Sequence, residues 1–132
     1  MRNNNGFTII ETLVAIAILM IAITGPLVVS NKSLTAALYA KDQTTATYIG
    51  QKSIEWIRNK KDNNIALLGS ENWFNGISSG SCPIYVNSFF TCTYTTDIKS
   101  TLEAVVSVKV AWKEGSVSNE VNLVSNITKT VF

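Results

Sequence analysis

An apolar run near the N-terminus, from Phe7 to Val29, constrains this chain most, and it contains a single charged residue, Glu11. No charge follows between Thr12 and Ser30. As a helix, such a run supplies the roughly 20 residues needed to cross the hydrocarbon core of a bilayer. A carboxylate near the start of a spanning segment costs about 2.5–3.5 kcal/mol on insertion scales. The sequence therefore predicts a membrane-spanning helix and a partner for Glu11.

The residues around the apolar run allow three interpretations. An ordinary secretory signal is cleaved after its apolar stretch at a small-x-small site, but no clear site follows Val29, where the sequence is SNKSLTAAL. A plain signal anchor needs neither the acid at Glu11 nor a glycine at Gly6. The third interpretation is cleavage before the apolar segment, which keeps the helix in the mature protein. Arg2 precedes the run, so the positive-inside rule predicts a cytoplasmic N-terminus and export of the remainder.

The motif GFTIIE, Gly6 to Glu11, followed by TLVAIAIL, resembles the class III signal of type IV pilins and pseudopilins. This resemblance implies that a prepilin peptidase removes residues 1–6 by cutting after Gly6 and then N-methylates Phe7. It also places Glu11 at the acidic position of the mature helix. The leader differs from the family pattern because it is short and rich in asparagine, with one arginine.

Cleavage after Gly6 would supply a partner for Glu11. It creates a cationic amine on Phe7, one helical turn from Glu11 and accessible to neighbouring chains. An ammonium and a carboxylate that meet in a low-dielectric helix bundle offset the burial cost of both. We expect Glu11 to pair with the Phe7 amine of an adjacent subunit. The alternative is a carboxylate that sits among lipid headgroups near the helix start.

Gly25 and Pro26 interrupt the apolar helix. Proline removes one backbone hydrogen bond and crowds the carbonyl four residues earlier, and glycine lowers helix propensity further. Two outcomes are open: a simple kink, or a segment that unwinds so that the helix lengthens under load in a filament, as the family resemblance implies.

Helical character continues beyond the membrane, through residues 31–64. Asp62-Asn63-Asn64 is the predicted stop. The cation cluster Arg58, Lys60 and Lys61 is expected to oppose the helix dipole there, and a DNA or lipid contact is the alternative. Residues 46–64 resemble, more loosely, the second half of the helix in PilV-type minor pilins and GspI-type pseudopilins. An imperfect apolar stripe at helical spacing is expected to pack on the core. It comprises Leu34, Ala37, Leu38, Thr45, Ile49, Ile54, Trp56 and Ile57.

The C-terminal half alternates with a period of two, as in an antiparallel β-hairpin. One strand has Leu102, Ala104, Val106, Val108, Val110 and Trp112 on one face, and the next has Val117, Val121, Leu123 and Ile127. Residues 113–116 form the predicted four-residue loop. The predicted register pairs Trp112 with Val117 and Val108 with Val121. Residues 84–94 supply a third, less regular strand.

Cys82 and Cys92 lie in the exported part of the chain, where disulfides persist. A local disulfide is the favoured interpretation and two buried thiols are the alternative. The linker from Gly69 to Ser81 contains Trp73 and Phe74, which we expect to anchor the loop on the core rather than to bind a ligand.

The sequence contains no histidine and two cysteines. It therefore offers no zinc site and few general-base or nucleophile pairs, and we expect neither an enzyme nor a cofactor or metal. Its scattered cations give no broad basic face for nucleic acid.

Together these features predict an α+β, pilin-like protein in which residues 65–132 form the sheet of a globular head. The family resemblance implies a structural, minor pilin subunit of a type IV pilus. The implied partners are other pilin subunits, the prepilin peptidase, an inner-membrane assembly platform, and membrane lipid before assembly. The alternatives are a type II secretion pseudopilin in a periplasmic pseudopilus and a signal-anchored extracytoplasmic binding domain that never polymerises.

Overall fold

The computed structural model of the chain describes residues 8–83 and 88–129. Two compact units are present, residues 1–41 and 42–132. The described part of the first is helical, and the second contains the rest of the helix and an antiparallel sheet of strand order β1-β2-β3-β4. The predicted α+β class is confirmed. The elements are α1 (Ile9–Leu68), a 3-10 turn (Ser70–Asn72), β1 (Gly80–Ser81), β2 (Phe90–Ile98), β3 (Glu103–Glu114) and β4 (Val117–Thr128).

In the second unit, α1 packs on the sheet through small side chains. Ala46 and Ser53 are fully buried, and Gly50 faces Leu123 and Val110. The predicted stripe is correct at Ile54 and Ile57, which are buried. It is wrong at Leu34 and Leu38, which are exposed. Both leucines precede the part of α1 that packs on the sheet, where the buried residues begin at Ala46.

The predicted helix stop at residues 62–64 is wrong, because α1 continues to Leu68. Asn64 stays within the helix and donates from Nδ2 to the carbonyl oxygens of Trp73 (3.3 Å) and Asn75 (2.8 Å). The helix ends before Gly69, whose φ of 82° and ψ of 164° lie in a region open almost only to glycine. A tertiary contact therefore outweighs the local preference of Asn64 for a helix end.

The cation cluster does not oppose the helix dipole, since the last turn of α1 contains no basic residue. Arg58 Nη2 instead donates to Ser125 Oγ (3.0 Å), and Lys60 Nζ donates to Gly76 O (2.7 Å). Buried Lys61 directs its Nζ toward Thr128 O at 3.4 Å. The cluster links α1 to β4 and to the connecting loop.

The hairpin of β3 and β4 is confirmed, but the predicted register is shifted by two residues. Trp112 lies opposite Asn119, and Glu114 lies opposite Val117. The loop is therefore Gly115-Ser116, not residues 113–116, and the φ of Gly115, 61°, suits the first loop position of a type II′ turn. A shift of two keeps every side chain on its face, so the alternation alone could not distinguish the two registers.

The predicted strand at residues 84–94 is displaced in the structure. Residues 84–87 lie outside the described residues, and β2 runs from Phe90 to Ile98. Leu102, predicted within β3, precedes that strand and is half exposed. The core-facing positions of β3 are correct: Ala104, Val106, Val108, Val110 and Trp112 are all buried.

A disulfide joins Cys82 to Cys92, with 5.4 Å between the two Cα atoms. The Cys82 N–H also donates to Cys92 O (3.1 Å). The disulfide and this hydrogen bond together join the segment after β1 to β2. Trp73 and Phe74 are buried with their rings edge to face at 5.0 Å. The expectation that both aromatics anchor the loop is therefore confirmed.

Candidate functional site in the N-terminal helix

The described part of the first unit exposes an apolar surface. From Ile9 to Leu38, the large apolar side chains are 46–82% exposed. They lie on all sides of the helix, which is typical of a helix meant for lipid or for a bundle of helices.

Its length suits a bilayer. The segment from Thr12 to Asn31 contains 20 residues without a charge, about 30 Å as a helix, which matches the hydrocarbon thickness of a bilayer. By length and composition, α1 is the one helix among the described residues that could cross a membrane. The chain therefore fits a single-pass membrane-anchored protein.

Glu11 lies in the first turn of α1, where its N–H donates to Thr8 O (3.1 Å). A negative side chain at this position interacts favourably with the N-terminal end of the helix dipole. The carboxylate is exposed, and no lysine or arginine among residues 8–83 and 88–129 lies within ion-pairing distance of it. Gly6 and Phe7, the predicted cleavage and methylation residues, lie outside the described residues, so the pairing of Glu11 with Phe7 stays a prediction.

Helical structure passes through Gly25 and Pro26 without a break. Pro26 has no N–H to offer the carbonyl of Ala22. Two residues before Pro26, the hydroxyl of Thr24 donates to the carbonyl oxygens of Met20 (3.1 Å) and Ile21 (3.2 Å). The single chain therefore remains helical through Gly25 and Pro26. Unwinding of this segment under load stays a prediction.

Among the predicted site residues that the structure describes, one pair is brought together, the cysteines of the disulfide. No group of three His, Cys, Asp or Glu side chains that could hold a metal ion occurs in the part of the chain that the structure describes. Sequence reasoning missed the small residues that dock α1 on the sheet. Ala46, Gly50 and Ser53 recur at intervals of four and three residues, which places them on one face of the helix.

Comparison with known families matches residues 1–25 to the prokaryotic N-terminal methylation motif. No curated protein and no solved structure gave a match. The matched segment contains the Gly6–Phe7 bond and Glu11, and it leads directly into the exposed apolar helix. Proteins with this motif are processed by a prepilin peptidase and assemble with other pilins. The motif and the long apolar helix together support the assignment of this chain as a type IV pilin-like protein.

Proposed function

We propose that this chain is a minor pilin, a structural subunit of a type IV pilus that assembles through its N-terminal helix. One observation carries this proposal: the methylation motif leads directly into a helix whose large apolar side chains, from Ile9 to Leu38, are all substantially exposed. Leaving so much apolar surface in water costs roughly 25 cal/mol per Å². Lipid before assembly, and neighbouring helices in the filament core, would both cover it.

In this proposal the leader, residues 1–6, is removed by the prepilin peptidase and Phe7 becomes the methylated N-terminus. Residues 7–30 then form the membrane and filament-core helix, with the N-terminus on the cytoplasmic side and the head outside. Glu11 pairs with the Phe7 amine of a neighbouring subunit. The exposed carboxylate, which has no cationic partner among the described residues, supports this role.

The proposed role is mechanical rather than catalytic. Filament growth would be driven by an inner-membrane assembly platform, and the chain itself would supply packing surface. Unwinding at Gly25 and Pro26 would let the assembled helix lengthen under load, because Pro26 already lacks one hydrogen bond of the helical ladder.

A type II secretion pseudopilin is the second candidate, and the same motif and helix support it. Filament composition separates the two. If the chain is a minor pilin, mass spectrometry of purified extracellular pili will detect it. If it is a pseudopilin, it will stay at the cell envelope, and its deletion will leave secreted enzymes inside the cell.

A further inference from the structure

β4 forms one edge of the sheet, and alternate residues along it direct their backbone groups away from β3. The N–H of Lys129 donates to Leu102 O (2.8 Å), which marks these two residues as a hydrogen-bonded pair. Such pairs recur at every second residue of an antiparallel ladder, so the odd-numbered residues of β4 bond to β3. The N–H and C=O groups that face the open edge are those of Ser118, Glu120, Asn122, Val124 and Asn126.

This edge is open and unprotected. Within residues 8–83 and 88–129, no backbone group bonds to these outward donors and acceptors. Proteins usually block an exposed edge with lysine, proline or a β-bulge. β4 keeps an uninterrupted register, contains no proline and carries one charge, Glu120, which pairs with Lys109 of β3.

A groove of about 360 Å³ lies between α1 and this edge. Val121 and Leu123 point toward the helix side but are only half-buried, because no further strand among the described residues lies beyond β4 to cover them. An added strand would complete their burial. The groove is lined by Gln51, Ile54, Glu55, Arg58, Val124 and Ser125.

The groove lining contains one cation, Arg58, and one carboxylate, Glu55, and it is Arg58 that contacts β4. Its hydrogen bond to Ser125 Oγ holds the guanidinium at the groove. No carboxylate in the described part of the chain forms an ion pair with it. Guanidinium carries five donors in a fork that matches a carboxylate, so an acidic side chain opposite Ser125 would satisfy it.

We propose that the β4 edge receives an extended strand of a different protein chain, added antiparallel, with an acidic side chain opposite Ser125 and apolar side chains opposite Leu123 and Val121. A second copy of this chain fits poorly. The helix-facing residues of β4 include no acid, and the opposite edge of the sheet, β1, offers only Gly80 and Ser81. This surface lies wholly within residues 42–132, so it does not depend on filament assembly.

Hydrogen exchange on the full-length protein in detergent tests this assignment. The probe is a synthetic peptide, Thr-Val-Thr-Glu-Thr-Val-Thr-Val-Thr, which sets Glu opposite Ser125 when it lies antiparallel to β4. Its counterpart carries Gln in place of Glu. We expect the peptide to slow exchange at the outward amides of Glu120, Asn122 and Val124. Unchanged exchange at these amides with millimolar peptide would overturn the proposal.

Two pairs of variants separate the backbone from the charge. Asn122→Pro removes an outward N–H and is compatible with an edge position, whereas Asn122→Ala keeps that N–H. We expect the proline variant to bind the peptide about tenfold more weakly than the alanine variant. Retained protection of the odd-numbered β4 amides shows that the proline variant is folded. Equal binding by the two variants contradicts strand addition.

Arg58→Ala is expected to weaken binding of the Glu peptide by about two- to fivefold and to leave the Gln peptide unaffected. Lys113→Ala removes an equal charge from the other face of the sheet and should change neither affinity. An equal loss for both peptides contradicts the assigned role of Arg58. Concentration-dependent dimers that Asn122→Pro abolishes would assign the edge to a second copy and overturn the choice of a different chain.

Discussion

Gly50 of α1 lies directly against Leu123 of β4, and a Cβ built on Gly50 would overlap Leu123 Cδ1. The helix therefore approaches the sheet as closely as a residue without a side chain permits. Because Leu123 is only half-buried at the sheet edge, its methyl group has room to yield to one added carbon. A branched side chain would also meet Val110, whose Cγ2 lies 3.7 Å from the same point.

We predict that Gly50→Val destabilises the head by about 1–3 kcal/mol, because the added methyl groups overpack the contact between helix and sheet. Gln51→Val is the matched control, since it introduces the same side chain at the adjacent, exposed position of α1. Thermal unfolding of the full-length protein in detergent measures both. Equal midpoints for the two variants would show that the close approach does not limit packing.

The Cys82–Cys92 disulfide should contribute about 2–3 kcal/mol to stability, as the chain-entropy model gives for so short a loop. Replacing both cysteines by serine should lower the unfolding midpoint, and reductant should lower that of the wild type to a similar value. The double variant should not respond to reductant. A wild-type midpoint that is insensitive to reductant, with the bond shown to be reduced, contradicts this prediction.

The ion pair between Lys109 and Glu120 predicts a pH dependence. The hydrogen bond and charge of Lys109 lower the pKa of Glu120 below its usual value. The folded pKa is thus below the unfolded one, so the pair stabilises the head above the unfolded pKa and this contribution is lost as pH falls through the folded pKa. Both side chains are exposed, so the effect is small and screened by salt.

Unfolding curves of wild type and Glu120→Gln over a series of pH values check this. The wild type should be the more stable at neutral pH, and the difference should vanish in acid. In a Lys109→Ala background the same substitution should make no pH-dependent difference. A stability difference between wild type and Glu120→Gln that grows as pH falls would have the opposite sign and would refute the role assigned to Lys109.

Glu11→Val tests the pairing with Phe7. Leader removal should proceed normally, because the Gly6–Phe7 bond is unchanged, whereas incorporation into filaments should fall. Glu71→Val removes one carboxylate from an exposed site in the head and should leave incorporation unchanged. Immunoblots of sheared filaments measure incorporation. Undiminished incorporation of Glu11→Val would exclude the pairing.

The sequence predicted the parts of this fold that depend on pattern. The apolar helix follows from hydropathy. Alternation identifies the core face of β3 and, at Val121, Leu123 and Ile127, that of β4, but it is wrong at Val117, which is exposed at the turn. The parts that depend on tertiary contact were not readable. Asn64 lies within α1 and donates two hydrogen bonds to the loop that follows the helix, and Gly50, which the predicted stripe did not include, docks against Leu123.

The sequence likewise predicted one part of the candidate functional residues and missed others. The motif from Gly6 to Glu11 was readable because its chemistry is local to a few adjacent residues. The open β4 edge was not, since it depends on which strand has no outer neighbour. Arg58 could not be assigned either, because its contact to Ser125 joins residues far apart in the sequence.

The mass of the N-terminal peptide of the mature protein shows whether the chain is processed as a pilin-like subunit. We expect a peptide that begins at Phe7, lacks residues 1–6 and carries one added methyl group. A mature protein that retains Met1 to Gly6 would contradict it.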